Sequence, residues 1–176
     1  GTPEEGDVPV YTEEGWVPGP AGSWDGGPYA DLQVTEGTVF IPEKGEWESV
    51  TNLFEINIAE NITNGKCIRM QGYQYKRMIV SLKACIQVNS SPALVAFRLL
   101  YDGSPVAGGS SQSYCRVDED MNVCFEVMLE QEPAKPLFIM MYTAPADMYD
   151  PSFQVVFNSG SLSMNSRNMV QPPPYI

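Results

Sequence analysis

Hydrophobic and polar residues alternate along much of this chain with the two-residue period of β-strands. In Met78–Val88, the residues Met78, Val80, Leu82, Ala84, Ile86 and Val88 fall on one face, with Ser81, Lys83 and Gln87 on the other. Val123, Phe125, Val127 and Leu129 repeat the pattern against Glu126. Further strands are predicted near Thr38–Ile41, Ser49–Ile58, Cys67–Tyr73, Leu94–Tyr101, Ser113–Val117, Leu137–Thr143, Phe153–Asn158 and Ser161–Met164. Turn signals separate them: Asn64-Gly65, Ser91-Pro92, Asp102-Gly103, Gly108-Gly109, Asp150-Pro151 and Ser159-Gly160. The apolar run Pro136–Tyr142 (PLFIMMY) suits a buried strand. No stretch sustains helical periodicity between recognisable caps. The pattern predicts an all-β fold, an antiparallel β-sandwich, with a jelly roll preferred to an immunoglobulin-like arrangement.

The ends read differently. Residues 1–30 show neither helical nor strand periodicity, and Pro3, Pro9, Pro18, Pro20 and Pro28 recur among scattered glycines. Such a segment buries too little to offset its ordering entropy, so it is expected to be an extended hinge or arm. Trp16 and Trp24 are unusual for a linker, and one of them is expected to pack on the domain or a neighbour. The organisation predicted is an arm over residues 1–30, a sandwich over 31–164 and a Pro-rich tail over 165–176. The absence of an initiator Met and of a signal-peptide pattern suggests a mature fragment or an excised domain.

Composition narrows the function classes. A chain of 176 residues that is 43% hydrophobic can bury a core of its own. Its net charge of −12 argues against nucleic acid as the main ligand, because phosphate binding needs a basic patch. Much of that acidity lies in Glu4, Glu5, Asp7, Glu13, Glu14, Asp25 and Asp31, in a stretch without Lys or Arg. No apolar run approaches the roughly 20 residues of a membrane-spanning helix.

Candidate chemistry is sparse. There is no His, which removes Ser-His-Asp and Cys-His machinery and the commonest metal ligand. No catalytic residue is assigned, and an enzyme is not expected. Cys67, Cys85, Cys115 and Cys124 lack CxxC spacing. A hairpin tipped by Asp118–Met121 would set Cys115 opposite Cys124, and one centred near Lys76 would set Cys67 opposite Cys85. Two cross-strand disulfides and four free thiols therefore both stand as readings. Asp118, Glu119 and Asp120 would crown the first tip, as a candidate Ca²⁺ site or a solvated acidic turn; no other cofactor is implied. Asn61 and Asn89 head sequons that matter if the chain is secreted. Pro172, Pro173 and Tyr175 belong to a PPxY tail of the kind WW domains read.

A Pro/Gly-rich hinge over Gly1–Tyr29, a sandwich over Ala30–Met164 and an extended tail together resemble the projecting domains of small non-enveloped RNA virus capsid proteins, tombusvirus-like or nodavirus-like. Length and style suggest the Lake Sinai virus type within that group. The resemblance covers the whole chain in architecture and rests on no diagnostic motif. The hinge departs from the pattern in being acidic and long, and the module exceeds the smaller projecting domains. The resemblance implies a virion-surface spike that pairs or trimerises with copies of itself, joins the remaining capsid shell and meets a host receptor or glycan. Met140, Met141 and Tyr142 would then lie on an outer sheet face against a symmetry mate, with loop tips Asp102–Gly109 and Asp118–Met121 toward solvent. A carbohydrate-binding module is the first rival, with Tyr73, Tyr75, Tyr101 and Tyr114 as candidate contacts. A secreted trimeric jelly-roll ligand is the second, and a small two-carboxylate glycosidase the third.

Overall fold

The structure is a computed structural model that describes residues 7–12, 15–20, 28–60, 62–71, 77–130, 132 and 135–167. In chain order the strands are β1 (Asp7–Thr12), β2 (Gly15–Pro20), β3 (Tyr29–Val34), β4 (Thr38–Phe40), β5 (Trp47–Ser49), β6 (Glu55–Glu60) and β7 (Ile62–Asn64). There follow β8 (Ile68–Met70), β9 (Arg77–Val88), β10 (Ala93–Tyr101), β11 (Ser104–Cys115), β12 (Met121–Glu130), β13 (Pro136–Pro145) and β14 (Val155–Arg167). One 3₁₀ turn, Thr51–Leu53, interrupts them.

Two six-stranded sheets form the sandwich. Sheet I has the order β12-β9-β14-β3-β6, with β4 also on β14; sheet II has the order β11-β10-β13-β8-β7, with β5 also on β13. From β8 onward the chain switches between the sheets, staying within one only for the β10–β11 hairpin. The central order β3-β14-β9-β12 against β8-β13-β10-β11 is the pair of interlocked Greek keys that defines a jelly roll. The named ladders are antiparallel, so the all-β sandwich expected from alternation is the observed fold.

Burial follows the alternation. Every second residue of β9 from Met78 to Val88 is buried, as are Met121, Val123, Phe125, Val127 and Leu129 of β12. These meet the inward residues of sheet II, including Phe97, Leu99, Leu137, Ile139 and Met141. Phe97 and Phe157 join the layers edge to face, with ring centroids 6.2 Å apart at 79°. Gly160 on β14 sits between Val34 and Ala84. An added Cβ there would lie 2.8 Å from Val34 Cγ2, so only a bare backbone lets the two strands pack. Asp102 and Gly103 both take positive φ (51° and 81°), closing the β10–β11 hairpin as the Asp-Gly signal predicts.

Several sequence expectations are corrected. Ser49–Ile58 is not one strand: β5 lies in sheet II and β6 in sheet I, with the 3₁₀ turn as the crossing. Buried Thr51 makes that crossing possible, because its Oγ1 accepts the Ile139 N–H at 2.9 Å in place of a backbone partner. Phe153–Asn158 and Ser161–Met164 merge across a bulge into β14, and the Gly108-Gly109 signal falls inside β11 rather than in a turn between strands. Part of the arm is paired: β1 and β2 form an antiparallel ladder in which Pro9 faces Pro18. The two missing N–H groups thus share one rung instead of interrupting two. The first sandwich strand, β3, begins at Tyr29, and β14 ends at Arg167.

Candidate functional site

Two outer sheet faces offer surfaces for partners. On sheet II, β13 is apolar on both sides. Its inward residues are Leu137, Ile139, Met141 and Thr143, while Phe138, Met140, Tyr142 and Ala144 face outward and are half-buried. Register sets Phe138 beside Leu100, Met140 beside Arg98, and Tyr142 between Ala96 and Trp47. The rings of Trp47 and Tyr142 lie 5.6 Å apart. The Arg98 guanidinium carbon stands 4.1 Å above the Trp47 ring, a cation–π contact. Arg98 Nε is buried with no hydrogen-bond partner. An exposed outer face normally carries polar residues; this one carries a half-covered apolar strip with the Arg98 cation held on an aromatic ring. Met141, expected on that face, instead belongs to the core, because a strand turns successive side chains to opposite sides.

Sheet I presents a polar concavity of about 680 Å³ where β3, β6 and β14 meet. Two bulges shape it. Asn158 is the extra residue of β14 between the pairs Phe157–Ile86 and Ser159–Cys85, and Asn57 is the extra residue of β6 between Ile56–Leu32 and Ile58–Asp31. Carboxylates hold the three lining amides, Gln33, Asn57 and Asn158. Asp31 Oδ2 accepts from Gln33 Nε2 at 3.0 Å and Asn57 Nδ2 at 3.2 Å. Asp120 Oδ1 accepts from Gln87 Nε2 at 2.6 Å and Asn158 Nδ2 at 3.0 Å.

The residues singled out from sequence are not brought together as expected. Cys115 ends β11 in sheet II and Cys124 lies on β12 in sheet I; Cys67 precedes β8 in sheet II and Cys85 lies on β9 in sheet I. Neither possible disulfide is present: all four cysteines are free thiols. The segments read as hairpins are sheet-to-sheet crossovers, which carry the paired cysteines into different layers. Burial pushes the Cys115 thiol up to about 11. Cys85 is also raised, by burial and then by the nearby Asp120 charge, so neither is an activated nucleophile.

The Asp118–Asp120 segment follows the crossover instead of capping a hairpin. Asp118 takes a positive φ of 58° and gives its N–H to Val88 O, while Asp120 turns onto sheet I. Among the described residues no group of three Cys, Asp or Glu side chains is arranged to hold a metal ion, so the Ca²⁺ expectation finds no ligand cluster there. Asn89 clamps the loop before β14: its Nδ2 donates to Ser152 O at 2.7 Å and its Oδ1 accepts Gln154 N–H at 2.7 Å. Tyr101 donates to Glu132 O through its hydroxyl, whereas Tyr114 is 59% exposed. Asn61, Tyr73, Tyr75, Trp24 and the tail residues Pro172, Pro173 and Tyr175 lie outside the described residues, as does the Trp16 side chain. The rim amides and the Arg98–Trp47 pair were missed from sequence; Trp47 inside a β-rich segment was the one visible signal.

No family model matches the chain, and no curated protein does. Among solved structures, a chain of the T13 IBDV viral particle is similar with a TM-score of 0.52 at 9% identity, over 92% of this chain and 36% of that one. The PRD1 vertex protein P5 is similar with a TM-score of 0.44 at 7% identity, over 82% of this chain and 98% of that one. The chain therefore spans about a third of the IBDV chain it matches. At this identity the likeness concerns fold: the sandwich is of a kind found in a viral particle. It gives no support to the Lake Sinai type in particular.

Proposed function

We propose that this chain is a virion capsid module, a surface projection that associates with copies of itself through the outer face of sheet II. The observation that carries the reading is the apolar strip of Phe138, Met140 and Tyr142, joined to Leu100 and Trp47 and centred on Arg98. Stable interfaces cover about 800 Å² per partner and concentrate their energy in central aromatic and Arg residues, which is the composition of this strip. The likeness to a viral-particle chain supports a capsid setting, in which the partners are a second or third copy and the remaining shell. Host attachment falls to other surfaces, among them the β10–β11 hairpin tip at Asp102–Gly103 and the exposed crossover loop at Asp118–Asp120.

Sedimentation velocity over a concentration series tests the reading. The whole chain is expected to pass from monomer to a dimer or trimer. Met140→Glu, which places a carboxylate in the centre of the strip, is expected to remain monomeric with unchanged far-ultraviolet circular dichroism. A chain that stays monomeric up to about 100 μM, weaker than a working interface needs, refutes self-association through this face.

A further inference from the structure

We infer that the concavity on sheet I is a binding site for a neutral, polyhydroxylated ligand, a glycan, an inference that rests on the attachment part of the proposed function. A solvated surface needs no fixed side chains, yet here the amides are held in place. Of the lining amides, Gln33 and Asn57 are both held by Asp31, and Asn158 is held by Asp120, which also accepts from Gln87 outside the lining. The three lining amides are therefore oriented before any ligand arrives. The two bulges deliver asparagines, the extra residues of β6 and β14, to the rim of one concavity. Bulges re-aim side chains in this way beside functional sites.

The chemistry of the lining selects the ligand class. Amides and the hydroxyls of Ser159 and Ser161 supply donors and acceptors side by side, matching adjacent sugar hydroxyls. Ile56, 42% exposed on the wall, offers an apolar surface for the C–H face of a pyranose. Glu36 and Glu55 outnumber the single Lys83, so sialylated, sulfated and phosphorylated ligands meet net repulsion. An added peptide strand is disfavoured because the bulge at Asn57 breaks the regularity of the β6 edge. Gly160 forms part of the floor, where a Cβ would strike Val34, so this part of the floor is fixed by packing.

Saturation-transfer NMR on the whole chain tests the site, with lactose, N-acetyllactosamine, maltotriose and chitotriose as neutral probes, and 3′-sialyllactose and a heparin hexasaccharide as anionic ones. At least one neutral probe is expected to bind with a millimolar constant. Ser161→Phe, which fills the concavity from an outward position of β14, is expected to weaken it more than tenfold, and Asn57→Ala several-fold. Met140→Glu on the opposite face is expected to leave it unchanged. Absence of transfer from every neutral probe, stronger binding of the anionic probes, or equal binding by the folded Ser161→Phe variant each overturns the inference. Sedimentation of the same samples separates the two readings: glycan binding can fail while self-association persists, and the reverse.

Discussion

Gly160→Ala tests the packing of β14 with a single methyl group. The Cβ would stand 2.8 Å from Val34 Cγ2, 3.1 Å from Val34 Cβ and 3.7 Å from Phe54 Cε1. Carbon atoms in contact prefer about 3.5–4.0 Å, so the first two approaches require Val34 or the β3 backbone to move. Both contacts are constrained, since Val34 is 6% exposed and Phe54 is fully buried. Overpacking of this kind costs about 1–3 kcal/mol. Alanine returns about 0.4–1 kcal/mol by restricting the unfolded chain. The net expectation is a loss of about 1–2 kcal/mol, or about 2–8 °C in Tm for a chain of this size. Urea unfolding of wild type, Gly160→Ala, Val34→Ala and the double variant measures it. Val34→Ala removes Cγ2, the atom of closest approach, so the double variant should be more stable than the sum of the single losses requires. An additive cycle, or a Gly160→Ala variant as stable as wild type, refutes the steric account.

Other perturbations read other parts of the structure. Thiol labelling should modify exposed Cys124 first, while Cys115, buried and raised to about 11, should react only on unfolding; early labelling of Cys115 would contradict its placement. Phe157→Ala should lose about 3–5 kcal/mol in chemical denaturation, since it empties the core and removes the edge contact to Phe97. Asp150 is held below the usual carboxylate range by the Ser90 hydroxyl and then by the Ser152 N–H. A folded-state pKa below the unfolded one contributes stability above the unfolded value and loses it as pH falls through the folded value. The acid limb of a stability–pH profile should therefore flatten in Asp150→Asn; an unchanged profile would show that the Ser90 contact contributes nothing.

The strands that alternate were readable from the sequence because one side of each is buried: Met78–Val88 and Val123–Leu129 match β9 and β12 nearly residue for residue. Sheet membership was not readable. Cys115–Cys124 and Cys67–Cys85 look like hairpins because a turn signal within a short span is the same whether the chain folds back or crosses to the other layer. The run PLFIMMY announced a strand apolar on both sides but not that one side faces away from the core. The rim of the concavity left almost no trace, because its asparagines are placed by bulges, and a bulge depends on the partner strand as much as on its own residues.

Self-association is proposed to bury the outer face of sheet II between copies. Hydroxyl-radical footprinting at low and high protein concentration tests it directly, since Trp47, Met140 and Tyr142 on that face are all reactive side chains. These three are expected to lose reactivity as the protein associates, while Met148 and Tyr149, 42% and 93% exposed, react equally at both concentrations. Association that leaves Trp47, Met140 and Tyr142 as reactive as in the monomer would contradict it.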